Sequence, residues 1–217
     1  MNRLSEIALK YDTDKGPNCH NYTPVYHQYF YPIRNEVRNF LEIGVLNGAS
    51  LQMWEEYFPN ARIWGFDWNT TFVPDPNSRI SIIHGDQGKK EDLERLKAEI
   101  KEPLDIIIDD GGHHMHQQIL TFHELFPTVS PGGYFVIEDL HTSYSTAYGA
   151  IPGKLTAVDL TKNLIDEVQL NGRSFIGDPI KSIEEIGSGT LSFYEKFIDS
   201  IHIHKSLAIF SRRGVYE

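Results

Sequence analysis

A chain of 217 residues with 40% hydrophobic and 23% charged side chains can bury the core of one domain and is too short for two of comparable size. Its formal net charge of −10 excludes a broadly basic phosphate-binding surface, so a small neutral or cationic molecule is expected as partner and nucleic acid is not. No apolar run reaches the roughly 18 residues of a membrane span, the start MNRLSEIALKYDTDKG lacks a signal-peptide core, and the single cysteine, Cys19, permits no internal disulfide, which together predict a cytoplasmic protein without a membrane partner.

Residues 1–37 carry Tyr11, Tyr22, Tyr26, Tyr29 and Tyr31 and are expected to form a helical cap across a ligand cleft. From residue 38 to 217, short apolar runs alternate with helix-like segments, the pattern of parallel strands joined by crossover helices. The predicted strands are Asn39–Val45, Arg62–Asp67, Arg79–His84, Leu104–Asp109, Gly133–Glu138, Ser200–His204 and Leu207–Ser211. Predicted helices are Ala49–Phe58, Lys89–Ile100, His114–Phe126 and a segment near Lys162–Gln169. Only two residues part the last two strands, so they form a hairpin and the sheet closes on an antiparallel strand. The fold class is α/β, with a mostly parallel central sheet and helices on both faces. The stretch 140–197 is long and rich in glycine and polar residues, and is expected to be a lid or substrate insertion.

The chemistry gathers at the strand ends, where open α/β sheets bind their ligands. The first strand runs into a turn in LEIGVLNGAS, with Glu42, Gly44 and Gly48. This turn departs from the dinucleotide fingerprint G-x-G-x-x-G, which points to a cofactor without a diphosphate. The second strand ends in Asp67, a carboxylate suited to the two hydroxyls of a ribose, and the third in HGDQ, where Asp86 and Gln87 are expected at the adenine edge. The fourth and fifth end in IIIDDGGHH and YFVIEDLH. If these last two strands are neighbours, about 5 Å apart, then Asp110, Glu138 and Asp139 converge, and a bound divalent cation relieves their repulsion. An all-oxygen set favours Mg2+, Mn2+ or Ca2+ over zinc. His113, beyond a Gly-Gly turn, is placed to be either a ligand or a base. His114, His116 and His123 are read as helix-surface residues.

Taken together, YDTDKG, NYTPVY, LEIGVLNGASLQMWEEYFP, HGDQ, DDGGHH and PGGYFVIEDLHTSY resemble the metal-dependent class I sugar O-methyltransferases of macrolide biosynthesis and related cephalosporin-biosynthesis proteins. The resemblance covers most of the chain, although the macrolide enzymes carry a further N-terminal portion. It implies a Rossmann-like methyltransferase fold with S-adenosyl-L-methionine in the cleft of Glu42, Gly44, Asp67, Asp86 and Gln87. Further, it implies Mg2+ (or Mn2+) on Asp110, Glu138 and Asp139, and His113 as the base that takes a hydroxyl proton. Gly112 stands where the family motif often has serine, a change expected to loosen the turn.

The resulting expectation is methylation of a hydroxyl on a sugar or glycosylated natural product, with homo-oligomer formation left open. Two other readings use some of the same residues. A metal-dependent hydrolase would direct the carboxylates and His113 at water but leaves Glu42, Asp67 and Asp86 without a role. A non-catalytic adenosyl-cofactor binder would leave His113 without one.

Overall fold

A computed structural model describes residues 1–172 and 192–214 of the chain. Its strands are β1 (Asn39–Ile43), β2 (Arg62–Asp67), β3 (Ile80–His84), β4 (Leu104–Asp109), β5 (Val129–Ile137), β6 (Ile198–His204) and β7 (Leu207–Arg212). They form one sheet in the order β3-β2-β1-β4-β5-β7-β6. The first five run parallel, while β7 lies antiparallel to both β5 and β6. This is the Rossmann-like methyltransferase arrangement. At its centre β1 is buried at every position, as expected for a strand covered on both faces.

The helices are α1 (Arg3–Tyr11), α2 (Thr23–Phe30), α3 (Ala49–Tyr57), α4 (Lys90–Ile100), α5 (Met115–Leu125), α6 (Ala157–Gly172) and α7 (Phe193–Phe197). One face of the sheet is covered by α1, α2 and α3 through Leu4, Ile7, Tyr26, Phe30, Trp54 and Tyr57. On the other, α4, α5 and α6 contribute Leu93, Leu96, Phe122, Leu125, Leu160 and Leu164. Asn2 starts α1 by accepting a 2.9 Å hydrogen bond from the Ser5 amide, a cap whose loss costs about 1 kcal/mol. The N-terminal helices therefore join the layer of α3, and it is the turn after α1, Asp12 to Asp14, that lines the cleft.

Two elements differ from the sequence pattern in instructive ways. β5 begins at Val129 and runs through Pro131 and Gly132, which read locally as a turn, because the ladder with β4 shifts register between Leu104 and Ile106. A side chain at Gly133 would lie 2.5 Å from the Asp105 carbonyl, so the strand passes there only as glycine. Helix α6 starts five residues before the predicted Lys162, at Ala157. Thr156 and Asp159 cap it reciprocally, and Ala157, Leu160 and Leu164 are buried. Residues 140–172 of the expected insertion thus include a core-packed helix, and 173–191 lie outside the described residues.

Candidate functional site

Strand order and register bring the chemistry-bearing ends into one row. The ladder aligns Ile43 with Asp109 and Asp109 with Ile137, so the residues that follow, Gly44, Asp110 and Glu138, emerge side by side. Backbone bonds extend the alignment past the strands: the Asp110 amide donates to Ile43 at 2.9 Å, and that of Glu138 to Asp109 at 3.0 Å. β1 and β4 also mark the point where strand order reverses, the usual place for a ligand crevice. A cavity of about 420 Å³ opens there, within the size range of small-molecule sites.

Gly44, Asp67, Trp68, Asp86, Gln87, Asp110, His113 and Asp139 all line this cavity. Gly44 has φ +89°, and a Cβ on it would stand 2.1 Å from the Asp110 carbonyl oxygen, so the close approach of the β1 and β4 ends requires glycine. Asp67 accepts from the Val45 amide at 2.8 Å and the Asn69 amide at 2.7 Å while remaining partly exposed to the cavity. Asp86 accepts from the Gly88 amide at 2.8 Å.

Gln87 lines the cavity next to Asp86 and is also anchored behind it. Its buried amide donates to Asp109 at 2.9 Å and accepts from the Gly112 amide at 2.8 Å, bracing the Asp-Asp-Gly-Gly loop. Glu42, by contrast, is absent from the cavity wall. It is fully buried and accepts from Ser50 at 2.6 Å and Trp54 at 3.2 Å.

Asp110, His113 and Asp139 each offer a ligand atom within 4.8 Å of the others. His113 Nε2 lies 3.5 Å from Asp139 Oδ2 and 3.9 Å from Asp110 Oδ1. Both His113 and Asp139 have φ 56°, left-handed conformations that cost about 1–3 kcal/mol each and persist because the surroundings enforce them. His114, not His113, occupies the cap position of α5. Glu138 is not one of these three: it is 1% exposed, and its Oε1 accepts from Tyr26 at 2.5 Å and sits 3.0 Å from Lys15 Nζ.

Lys15 is the residue that sequence reasoning overlooked. Its fully buried ammonium contacts Asp110, Glu138 and, at 3.4 Å, Glu42. Burial works to lower its pKa, but these carboxylates outweigh that and hold it well above the ordinary lysine value. Burial also pushes Glu42, Asp110 and Glu138 upward, opposed in each by Lys15. The same N-terminal segment supplies Tyr22, which donates to Asp139 Oδ1 at 2.7 Å. One oxygen each of Asp110 and Asp139 is thereby tied, and the other faces His113. YDTDKG and NYTPVY hold both residues, yet nothing local marks a lysine between polar neighbours as buried.

Asp109 was also passed over. It is fully buried, one of its oxygens has no hydrogen-bond partner, and burial raises its pKa to about 6.

The cavity and its donors suit an adenosyl cofactor and a hard divalent cation. Asp67 presents a carboxylate at one end, while two carboxylates and one imidazole converge at the other.

Comparison with known proteins gives concordant results. The chain is 34% identical over 223 residues to demethylmacrocin O-methyltransferase of Streptomyces fradiae, covering 98% of this chain and 53% of that protein. It is 36% identical over 216 residues to mycinamicin VI 2''-O-methyltransferase of Micromonospora griseorubida, covering 94% and 51%. Among solved structures, MycE methyltransferase from the mycinamycin biosynthetic pathway, in complex with Mg, SAH and mycinamycin VI, superposes with a TM-score of 0.83 at 33% identity, over 98% of this chain and 54% of that one. The chain thus spans about half the length of the curated relatives it matches. No family model matches it.

Proposed function

This chain is a homologue of the macrolide sugar O-methyltransferases over about half of their length, and from that kinship we propose that it transfers a methyl group from S-adenosyl-L-methionine to a sugar hydroxyl of a glycosylated small molecule, with Mg2+ or Mn2+. The observation that carries this reading is the convergence of Asp110, His113 and Asp139 in the same cavity as Asp67. A hydrolase would use the first group and leave the cavity lined by Asp67 and Trp68 without purpose. The acidic chain argues against a nucleic-acid acceptor, and its cysteine content agrees with a cytoplasmic setting.

When bound, the cofactor supplies an electrophilic methyl group and the cation a Lewis acid that orients and acidifies a hydroxyl. Asp67 holds the ribose, and Gly44 lets the backbone approach the ligand. Asp86 lines the adenine side. Asp110 and Asp139 present one free oxygen each to the cation. His113 Nε2, facing the same space, would take the proton of the acceptor hydroxyl. Glu138 enters as a support, because Tyr26 and Lys15 share its oxygen.

The test is incubation of the chain with S-adenosyl-L-methionine, Mg2+ and either demethylmacrocin or mycinamicin VI, followed by mass spectrometry. Methylated product that disappears with EDTA and returns with Mg2+ or Mn2+ is expected. Cofactor-independent cleavage of the acceptor would favour the hydrolase instead. Separately, Asp67→Ala is expected to weaken S-adenosylhomocysteine binding at least roughly tenfold, the scale of a lost charge-assisted hydrogen bond. Calorimetric titration checks this, and equal affinities would remove Asp67 from the ribose site.

A further inference from the structure

The reaction proposed above leaves Lys15 without a chemical task. An ammonium has three N–H donors and no acceptor. Here it faces three carboxylates, those of Asp110, Glu138 and Glu42, and is 0% exposed, so it has no free donor for solvent or substrate. It also shares Asp110 with the metal group, holding Oδ2 while Oδ1 faces His113.

We propose that Lys15 is a resident counter-cation that competes with the divalent metal for one carboxylate array, allowing the site to form without metal and holding metal affinity down. The proposal rests on the metal-site reading. Glu42, Asp110, Glu138 and Asp139 are gathered at one end of the sheet, and like charges at short range in a buried setting oppose folding. Lys15 offsets that repulsion before any metal arrives. A dication entering among Asp110, Asp139 and His113 then finds a positive charge across Asp110, and repulsion is strong where water is excluded.

Removing the ammonium should therefore move two properties in opposite directions: the metal-free fold weakens and metal binding tightens. A residue that merely props the site would, when lost, slacken both. The opposition distinguishes the two roles.

The experiment uses the full chain with Mn2+ alone, without cofactor or acceptor. The variants are Lys15→Met and the double variant Lys15→Met/Glu42→Gln, which deletes an opposite-charge pair together and guards against failure of the single variant to fold. Glutamine keeps a carbonyl oxygen to accept from Trp54 and turns its amide N–H toward Ser50, whose hydroxyl can accept as well as donate. Calorimetric titration is expected to show Mn2+ binding about tenfold tighter than parent in Lys15→Met and by a smaller factor tighter in the double variant, where loss of the Glu42 charge offsets part of the gain. Lys15→Met should melt earlier than parent in EDTA and recover with Mn2+. Unchanged or weaker Mn2+ affinity in the double variant overturns this proposal alone. Failure of the parent and both variants to take up Mn2+ overturns the metal-site reading as well.

Discussion

Replacing His113 by alanine is expected to lower kcat for methyl transfer by about 10³-fold, the middle of the range for a lost general base, while S-adenosylhomocysteine and Mn2+ still bind. The imidazole Nε2 is the nitrogen that faces Asp110 and Asp139, whereas Nδ1 is buried without a partner, so proton transfer to the acceptor side falls to Nε2. Asp110 and Asp139 already offer oxygen donors, which Mg2+ prefers to nitrogen. His113→Asn serves as the control for the backbone, since asparagine tolerates the left-handed conformation at φ 56°. Single-turnover rates at several metal concentrations decide the matter. Full recovery of His113→Ala in excess Mn2+ would make His113 a metal ligand and end the base assignment.

Gly44→Ala is expected to destabilise the fold by about 4 kcal/mol, combining backbone strain with overpacking. Alanine is strained at φ +89°, and its Cβ would stand 2.1 Å from the Asp110 carbonyl oxygen and 2.7 Å from the carbonyl carbon. Backbone cannot swing aside as a side-chain terminus can, so the ends of β1 and β4 must separate. For a domain of this size the melting temperature should fall by about 12 °C, and cofactor binding should be lost with it. Gly111→Ala provides the contrast. Its Cβ would meet Gln87 Oε1, the movable end of a side chain, and a cost of about 1–2 kcal/mol is expected. Chemical denaturation measures both. A Gly44→Ala variant within about 1 kcal/mol of parent would mean that the two strand ends do not approach so closely.

Most of the sheet was legible because its signals are local. Apolar runs such as LEI in β1 and LDIII in β4 follow from burial on both faces, and Asp67, Asp86, Asp110 and Asp139 stand where those runs stop. The boundaries of β5 and α6 were less legible. A Pro-Gly-Gly stretch carries the chemistry of a turn, and only the register shift against β4 lets it continue as strand.

By itself the sequence determined the α/β class, the strand ends and the residue types available at the cleft, since pattern and turn chemistry act over a few neighbours. Tertiary structure decided which acids face the cavity. Glu42 and Glu138 look as eligible in sequence as Asp110 and Asp139, yet the first pair turns inward to Lys15, and Glu138 also meets Tyr26. The left-handed turn at Asp139 carries the chain over the strand ends, and its carboxylate lines the cavity. Lys15 lies 95 residues from Asp110, and Tyr26 lies 112 from Glu138. No local pattern encodes such pairs. They form because buried carboxylates require partners, and the packing of α1 and α2 on α3 is what brings those partners within reach.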